Sequence, residues 1–238
     1  MSESLKAVCF DIGDVILPAT RLRLAAVAQA AAELHAAGLL GAGVDDFIRI
    51  YAEADAHFEG VHINHLFSHP DIVVEAFRLA GVAPDEARVA AYLAAHRRAV
   101  EAGIQPDAEL TALLDDFKAR GLRLAIISNG TREHQRLTLA RMGIADYFDV
   151  ITISEELGVA KPARYLFTYT LDQLGVAPPA AVMVGDDLVN DIAPAKLLGM
   201  RTALYLGHIP PPERLELFRP LIDMQASTFK ELGKLLVE

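Results

Sequence analysis

Ala7-Val8-Cys9-Phe10 is an apolar run that ends on an acid, Asp11. A polar break, Ile12-Gly13-Asp14, follows before Val15-Ile16-Leu17 resumes the apolar pattern. A short apolar run closed by a turn predicts a buried strand. It delivers Asp11 to the strand's carboxyl end, where open α/β sheets place their ligand sites. Beyond Pro18 the pattern changes. Arg21 to Ala37 is rich in Ala and Leu, which favour helix, and it stops at Gly38. After the linker Gly41-Ala42-Gly43, Val44 to Glu59 reads as a helix with Phe47, Ile48, Tyr51 and Phe58 as its apolar positions. Two more helices are expected over 71–79 and 84–101, the second opened by Pro84-Asp85-Glu86, a good acidic start. Residues 18–103 therefore carry helical signal and no strand signal, as an all-helical insertion after the first strand would.

From Pro106 strands and helices alternate. Helices are expected over 109–120, 134–142, 163–174 and 192–198, each closed by a glycine: Gly121, Gly143, Gly175 and Gly199. Strands are expected over 123–127, 148–152, 180–184 and 201–205. Pro210-Pro211-Pro212 interrupts the rhythm, and a last helix opens at Thr228-Phe229-Lys230-Glu231 with the spacing of a capping box. Strands alternating with helices predict an α/β fold, a parallel sheet core covered by helices on both faces. The core would comprise residues 1–17 and 104–238. Its strand ends would gather Asp11, Ser128-Asn129, Lys161 and Asp186-Asp187 on one edge.

Bulk composition narrows the partners. The 238 residues are 53% hydrophobic with net charge -10, so a nucleic-acid partner is disfavoured because that footprint is basic. An anionic substrate is still possible, but it needs a local cation or metal. The single cysteine, Cys9, excludes an intramolecular disulfide and suits a buried role in a reducing cytoplasm. Met1 to Ser4 lack the pattern of a signal peptide, and no apolar run approaches the ~18 residues of a membrane span.

Taken singly, the polar strand-end motifs have ordinary readings. Ser128-Asn129-Gly130 can be a turn, Lys161-Pro162 a loop cation, and Asp187 or Asn190 a helix cap. Three carboxylates in Gly185-Asp186-Asp187-Leu188-Val189-Asn190-Asp191 repel one another unless a cation sits among them. The order is the specific signal: acid, hydroxyl, lysine and acid cluster each follow a separate strand. This order resembles the haloacid dehalogenase-like (HAD) hydrolase superfamily, and the resemblance covers nearly the whole chain. It implies a Rossmann-like core, with residues 18–103 as a helical cap of the kind found in the phosphatase-rich branch.

The resemblance also implies roles. Asp11 would be a nucleophile forming an aspartyl-phosphate. Mg2+ would be held by Asp11, the Gly13 carbonyl and Asp186, with Asp187 and Asp191 hydrogen-bonding its waters. Lys161 would offset the negative charge, and Ser128 with the main-chain N–H groups of Asn129 and Gly130 would bind the phosphoryl oxygens. The activity implied is a Mg2+-dependent phosphatase acting on a small phosphorylated metabolite.

One position departs from the family pattern. Gly13 stands where most family phosphatases carry a second Asp, the acid that protonates the leaving group. Asp14 lies one residue later, and in an extended turn it would point elsewhere. Two other readings follow. A 2-haloacid dehalogenase needs no leaving-group acid, but it also needs no metal and carries no such Asp-rich turn. A non-catalytic interaction protein on the same fold would explain Gly13 but not Asp11, Lys161 and Asp186. The insertion holds His35, His57, His62, His65, His69 and His96, at spacings that fit no metal-ligand motif. Arg21, Asn64 and His65 are its polar candidates for contact with substrate.

Overall fold

A computed structural model describes residues 4–58, 66–207 and 209–237. They divide into two compact units, one made of residues 1–18 and 105–238, the other of 19–104. The first unit holds a parallel six-stranded sheet: β1 (Ala7–Phe10), β2 (Arg123–Ser128), β3 (Val150–Ile153), β4 (Ala181–Gly185), β5 (Arg201–Tyr205) and β6 (Met224–Ala226), in the order β3-β2-β1-β4-β5-β6. β1 lies between β2 and β4, with Cys9 level with Ala125 and Met183. All four β1 residues are fully buried, as expected of a central strand covered on both faces. Ala7 and Cys9 point to the face packed by α8 (Arg164–Leu174) and α9 (Ala193–Leu197). Val8 and Phe10 alternate to the opposite face. There Phe10 meets Phe148 edge-on at 6.3 Å between ring centroids.

The helix starts carry the expected chemistry. Asp107 opens α5 (Ala108–Ala119), accepting from Glu109 N at 2.8 Å and Leu110 N at 3.0 Å. Thr131 caps α6 (Arg132–Arg141) through His134 N. At α11 (Phe229–Val237), Thr228 Oγ1 accepts from Glu231 N at 3.1 Å while Glu231 reaches back to Ser227 N at 2.8 Å. Some elements were not foreseen. Residues after the prolines form α10 (Pro212–Phe218), and the three-residue β6 extends the sheet at its edge. Cys9 is buried as expected, and burial pushes its thiol up to about 12.

The described residues of the second unit form four helices and no strand: α1 (Ala19–Ala36), α2 (Val44–His57), α3 (Pro70–Leu79) and α4 (Glu86–Gly103). α1 packs against α4, and Ala30, Ala31 and Ala95 share one buried cluster. At the end of this seam a Cβ on Gly103 would lie 2.6 Å from Leu22. Phe47 packs at a tilt against Phe77 and Tyr92, and Tyr51 stacks on Tyr92. His96 continues that column, its ring 6.2 Å from Tyr92. It is 1% exposed, and its Nε2 has no hydrogen-bond partner.

Burial, with the Arg23 charge beside it, pushes His96 down to about 4. The unfolded chain takes up this proton near pH 6.5, whereas the folded protein resists it until about pH 4. Stability is therefore present above pH 6.5 and lost as the pH falls toward 4. Chemical unfolding is expected to show a loss of roughly 2 kcal/mol by pH 5 from this group. His96→Leu should abolish that part of the pH slope, and an unchanged slope in the variant would refute the assignment.

The other described histidines of this unit do not gather. His57 lies 3.8 Å from Glu75, His69 Nδ1 accepts from Asp71 N at the start of α3, and His35 contacts the Ala42 carbonyl. Arg21 is exposed. His62, Asn64 and His65 lie outside the described residues.

Candidate active site

β1 ends at Asp11, whose N–H still bonds the Val184 carbonyl at 3.0 Å, so its side chain leaves the sheet at the carboxyl edge. β4 ends one strand away at Gly185-Asp186. The carboxylates of Asp11, Asp186 and Asp191 come together, with one oxygen from each lying within 4.8 Å of the others. Lys161, on the loop between α7 (Ser154–Leu157) and α8, inserts its ammonium among them. Nζ stands 2.8 Å from Asp11 Oδ1 and 2.6 Å from Asp191 Oδ1. Toward Asp191 the contact is a hydrogen bond. Toward Asp11 it is an ion pair without hydrogen-bond alignment, and Oδ1 is left buried without a hydrogen-bond partner.

The charges do not balance. Burial first, then the Asp11, Asp191 and Asp14 carboxylates, push Asp186 up to about 8, and Lys161 only partly offsets them. Burial likewise raises Asp191, with Lys161 pulling the other way. Lys161 itself is held protonated: burial works against its charge, but Asp11 and Asp191 outweigh it. Three crowded carboxylates that one ammonium does not neutralise fit a hard divalent cation, which takes oxygen ligands. Asp11, Asp186 and Asp191 each present a carboxylate oxygen in that cluster.

Local backbone explains how Asp191 arrives. Residues Leu188–Ile192 form a π-helical turn, in which the Asp187 carbonyl accepts from Asp191 N at 2.9 Å and Ile192 N at 3.2 Å. Such turns are rare and recur at functional sites. Gly185 makes room, since a Cβ there would lie 2.3 Å from the Asp191 Cβ.

Two expectations are revised and a third is narrowed. Asp187, read both as a helix cap and as a partner of the metal waters, caps this turn. Its Oδ1 accepts from Val189 N (2.7 Å) and Asn190 N (3.0 Å), and Oδ2 accepts from Asn190 Nδ2 (2.8 Å). The Gly130 N–H, expected to bind phosphoryl oxygens, donates to Ser154 Oγ at 2.9 Å. Asp14 does not sit in an extended turn. Its φ is 49°, in the left-handed region, and its charge reaches Asp186. Its carbonyl is pressed against Gly207, where a Cβ would come within 1.9 Å.

Ser128 is buried at the end of β2, and its hydroxyl makes a long 3.4 Å contact to the Asn129 carbonyl. Gln135 and Ser154 were not foreseen. Gln135 Nε2 donates to the Asn129 carbonyl at 2.7 Å, and both residues brace the turn after β2 without any local sequence signal.

Residues 5–199 match the haloacid dehalogenase-like hydrolase family, and the chain belongs to it. It is 31% identical over 199 residues to the glyceraldehyde 3-phosphate phosphatase of Methanopyrus kandleri, covering 83% of this chain and 82% of that one. It is 41% identical over 127 residues to the phosphoserine phosphatase of Thermus thermophilus, a match that spans 53% of this chain and half (50%) of that relative. Its fold superposes on a 2-haloacid dehalogenase from Pseudomonas syringae with a TM-score of 0.62 and 26% identity, over 98% of both chains. Fold alone therefore does not choose between phosphorus and carbon as the electrophile. Among the described residues no helix is long and apolar enough to cross a membrane.

Proposed function

We propose that this protein is a metal-dependent phosphatase that hydrolyses a small phosphorylated metabolite, in a reducing cytoplasm, through a phosphorylated Asp11. One observation carries the reading: the Asp11, Asp186 and Asp191 carboxylates lie in one cluster, with the Lys161 ammonium against Asp11 and Asp191. An Asp11 oxygen attacks phosphorus, the ester P–O bond breaks, and the leaving alkoxide takes a proton from solvent. Water then attacks the acyl phosphate at phosphorus, returning the carboxylate and inorganic phosphate. A Mg2+ ion held by Asp11, the Gly13 carbonyl and Asp186 would neutralise the charge of the transferring group. Lys161 holds Asp11 and Asp191 in place, and Ser128 with the Asn129 N–H binds phosphoryl oxygens. The helical unit 19–104 serves as the cap that selects substrate. Phosphoserine and glyceraldehyde 3-phosphate head a screen of phosphorylated metabolites run with and without Mg2+.

Gly13 supplies no proton to the leaving group, and general acid catalysis is worth roughly 10²–10⁴-fold. Good leaving groups, such as a sugar 1-phosphate or an acyl phosphate, are therefore expected to be the better substrates. Across phosphate esters of graded leaving-group pKa, kcat/KM should fall steeply as that pKa rises. A flat response would mean that another group donates the proton. The second reading, a 2-haloacid dehalogenase, is favoured only by the missing acid, and halide release insensitive to EDTA would establish it. Trapping a phosphoryl group on the protein would exclude a purely non-catalytic role.

A further inference from the structure

Asn129 follows the end of β2, where its side chain would be free to meet a substrate. It is instead committed to a single peptide unit on another loop. The Lys161 N–H donates to Asn129 Oδ1 at 2.7 Å, and Asn129 Nδ2 donates to the Lys161 carbonyl at 3.1 Å. The amide thus satisfies both main-chain groups of Lys161, as a neighbouring strand would. Lys161 needs such a partner because residues 158–163 lie between α7 and α8, outside any helix or strand. The base of the amide is fixed in turn, because Gln135 holds the Asn129 carbonyl and Ser154 holds Gly130. At the other end, the Lys161 ammonium must lie within 2.8 Å of Asp11 and 2.6 Å of Asp191 at once.

We infer that Asn129 is a positioning residue: its side chain clasps the Lys161 main chain and so sets where the Lys161 ammonium meets Asp11, without touching substrate. The inference rests on the phosphatase reading for its kinetic consequence but not for the clasp itself. Misplacing a reacting group by about 1 Å can cost about 10²-fold. Asn129→Ala is therefore expected to lower kcat about 10²-fold with KM unchanged within about twofold. In a Lys161→Met background the same substitution should add nothing, because a residue acting only through Lys161 has nothing left to position.

A second readout needs no turnover. Lys161, with 3% of its side chain exposed, should resist an amine-directed labelling reagent in the full chain and become labelled in Asn129→Ala. Asn129→Asp keeps the acceptor for the Lys161 N–H but not the donor to its carbonyl, so it should fall between the two. It also serves if Asn129→Ala does not fold. Unchanged Lys161 protection in both variants overturns the inference, as does an equal loss in the Lys161→Met background with a raised KM, the pattern of direct substrate contact. If the wild-type protein turns over no phosphate ester, the phosphatase reading fails while labelling still decides the clasp.

Discussion

Asp11→Asn is expected to remove turnover of every phosphate ester by roughly 10⁴–10⁶-fold, the range seen when a covalent nucleophile is lost. The carboxamide keeps the shape of the side chain but has no anionic oxygen to attack phosphorus. It also leaves the protein folded. Asp11 is one of three carboxylates whose oxygens lie within 4.8 Å of one another, so neutralising it relieves repulsion. Lys161 loses one partner but keeps its 2.6 Å bond to Asp191. Thermal unfolding should therefore stay at or above the wild-type midpoint while activity disappears. Intact-protein mass spectrometry after an acid quench should find a phosphoryl adduct on the wild type in the presence of Mg2+ and none on the variant. Activity retained within tenfold would remove Asp11 from the nucleophile's role.

Asp186→Asn should separate stability from metal binding. Burial and the Asp11, Asp191 and Asp14 charges make an ionised Asp186 costly in the metal-free protein, which is why it is pushed up to about 8. Removing that charge should raise the unfolding temperature measured in EDTA. It should also weaken Mg2+ by at least about 10²-fold, since even groups that merely support a ligand cost 10–100-fold when lost. In a melting series against Mg2+, the wild type should gain stability with each addition and the variant should stay flat. Equal stabilisation of both proteins would place the cation elsewhere.

The local signals and the long-range ones parted in a consistent way. The Thr228–Glu231 pair was legible because a helix start is a local event, satisfied by side chains within three or four residues. β1 was legible because a strand buried on both faces is apolar at every position. β6 was not: Met224-Gln225-Ala226 is three residues long with a polar residue at its centre, and it exists because β5 offers an open edge. The π-helical turn after Asp187 was also hidden, since its register depends on Asp191 reaching Lys161 thirty residues away. Motif order revealed which residues share the site. It did not reveal that the Gly130 N–H would serve Ser154, or that Asn129 would hold Lys161.

The amino-acid sequence by itself determined the α/β core, the helical insertion, the family resemblance and the strand-end residues Asp11, Ser128, Lys161 and Asp186. Each of these follows from periodicity, from local capping chemistry or from the order of polar residues along the chain. Only the tertiary structure decided the division of labour among those residues. Hydrogen bonds and charge repulsion act through space, and the distances that set them, 2.6 Å between Lys161 and Asp191 and 2.7 Å between Asn129 and the Lys161 N–H, arise when separate strand ends meet.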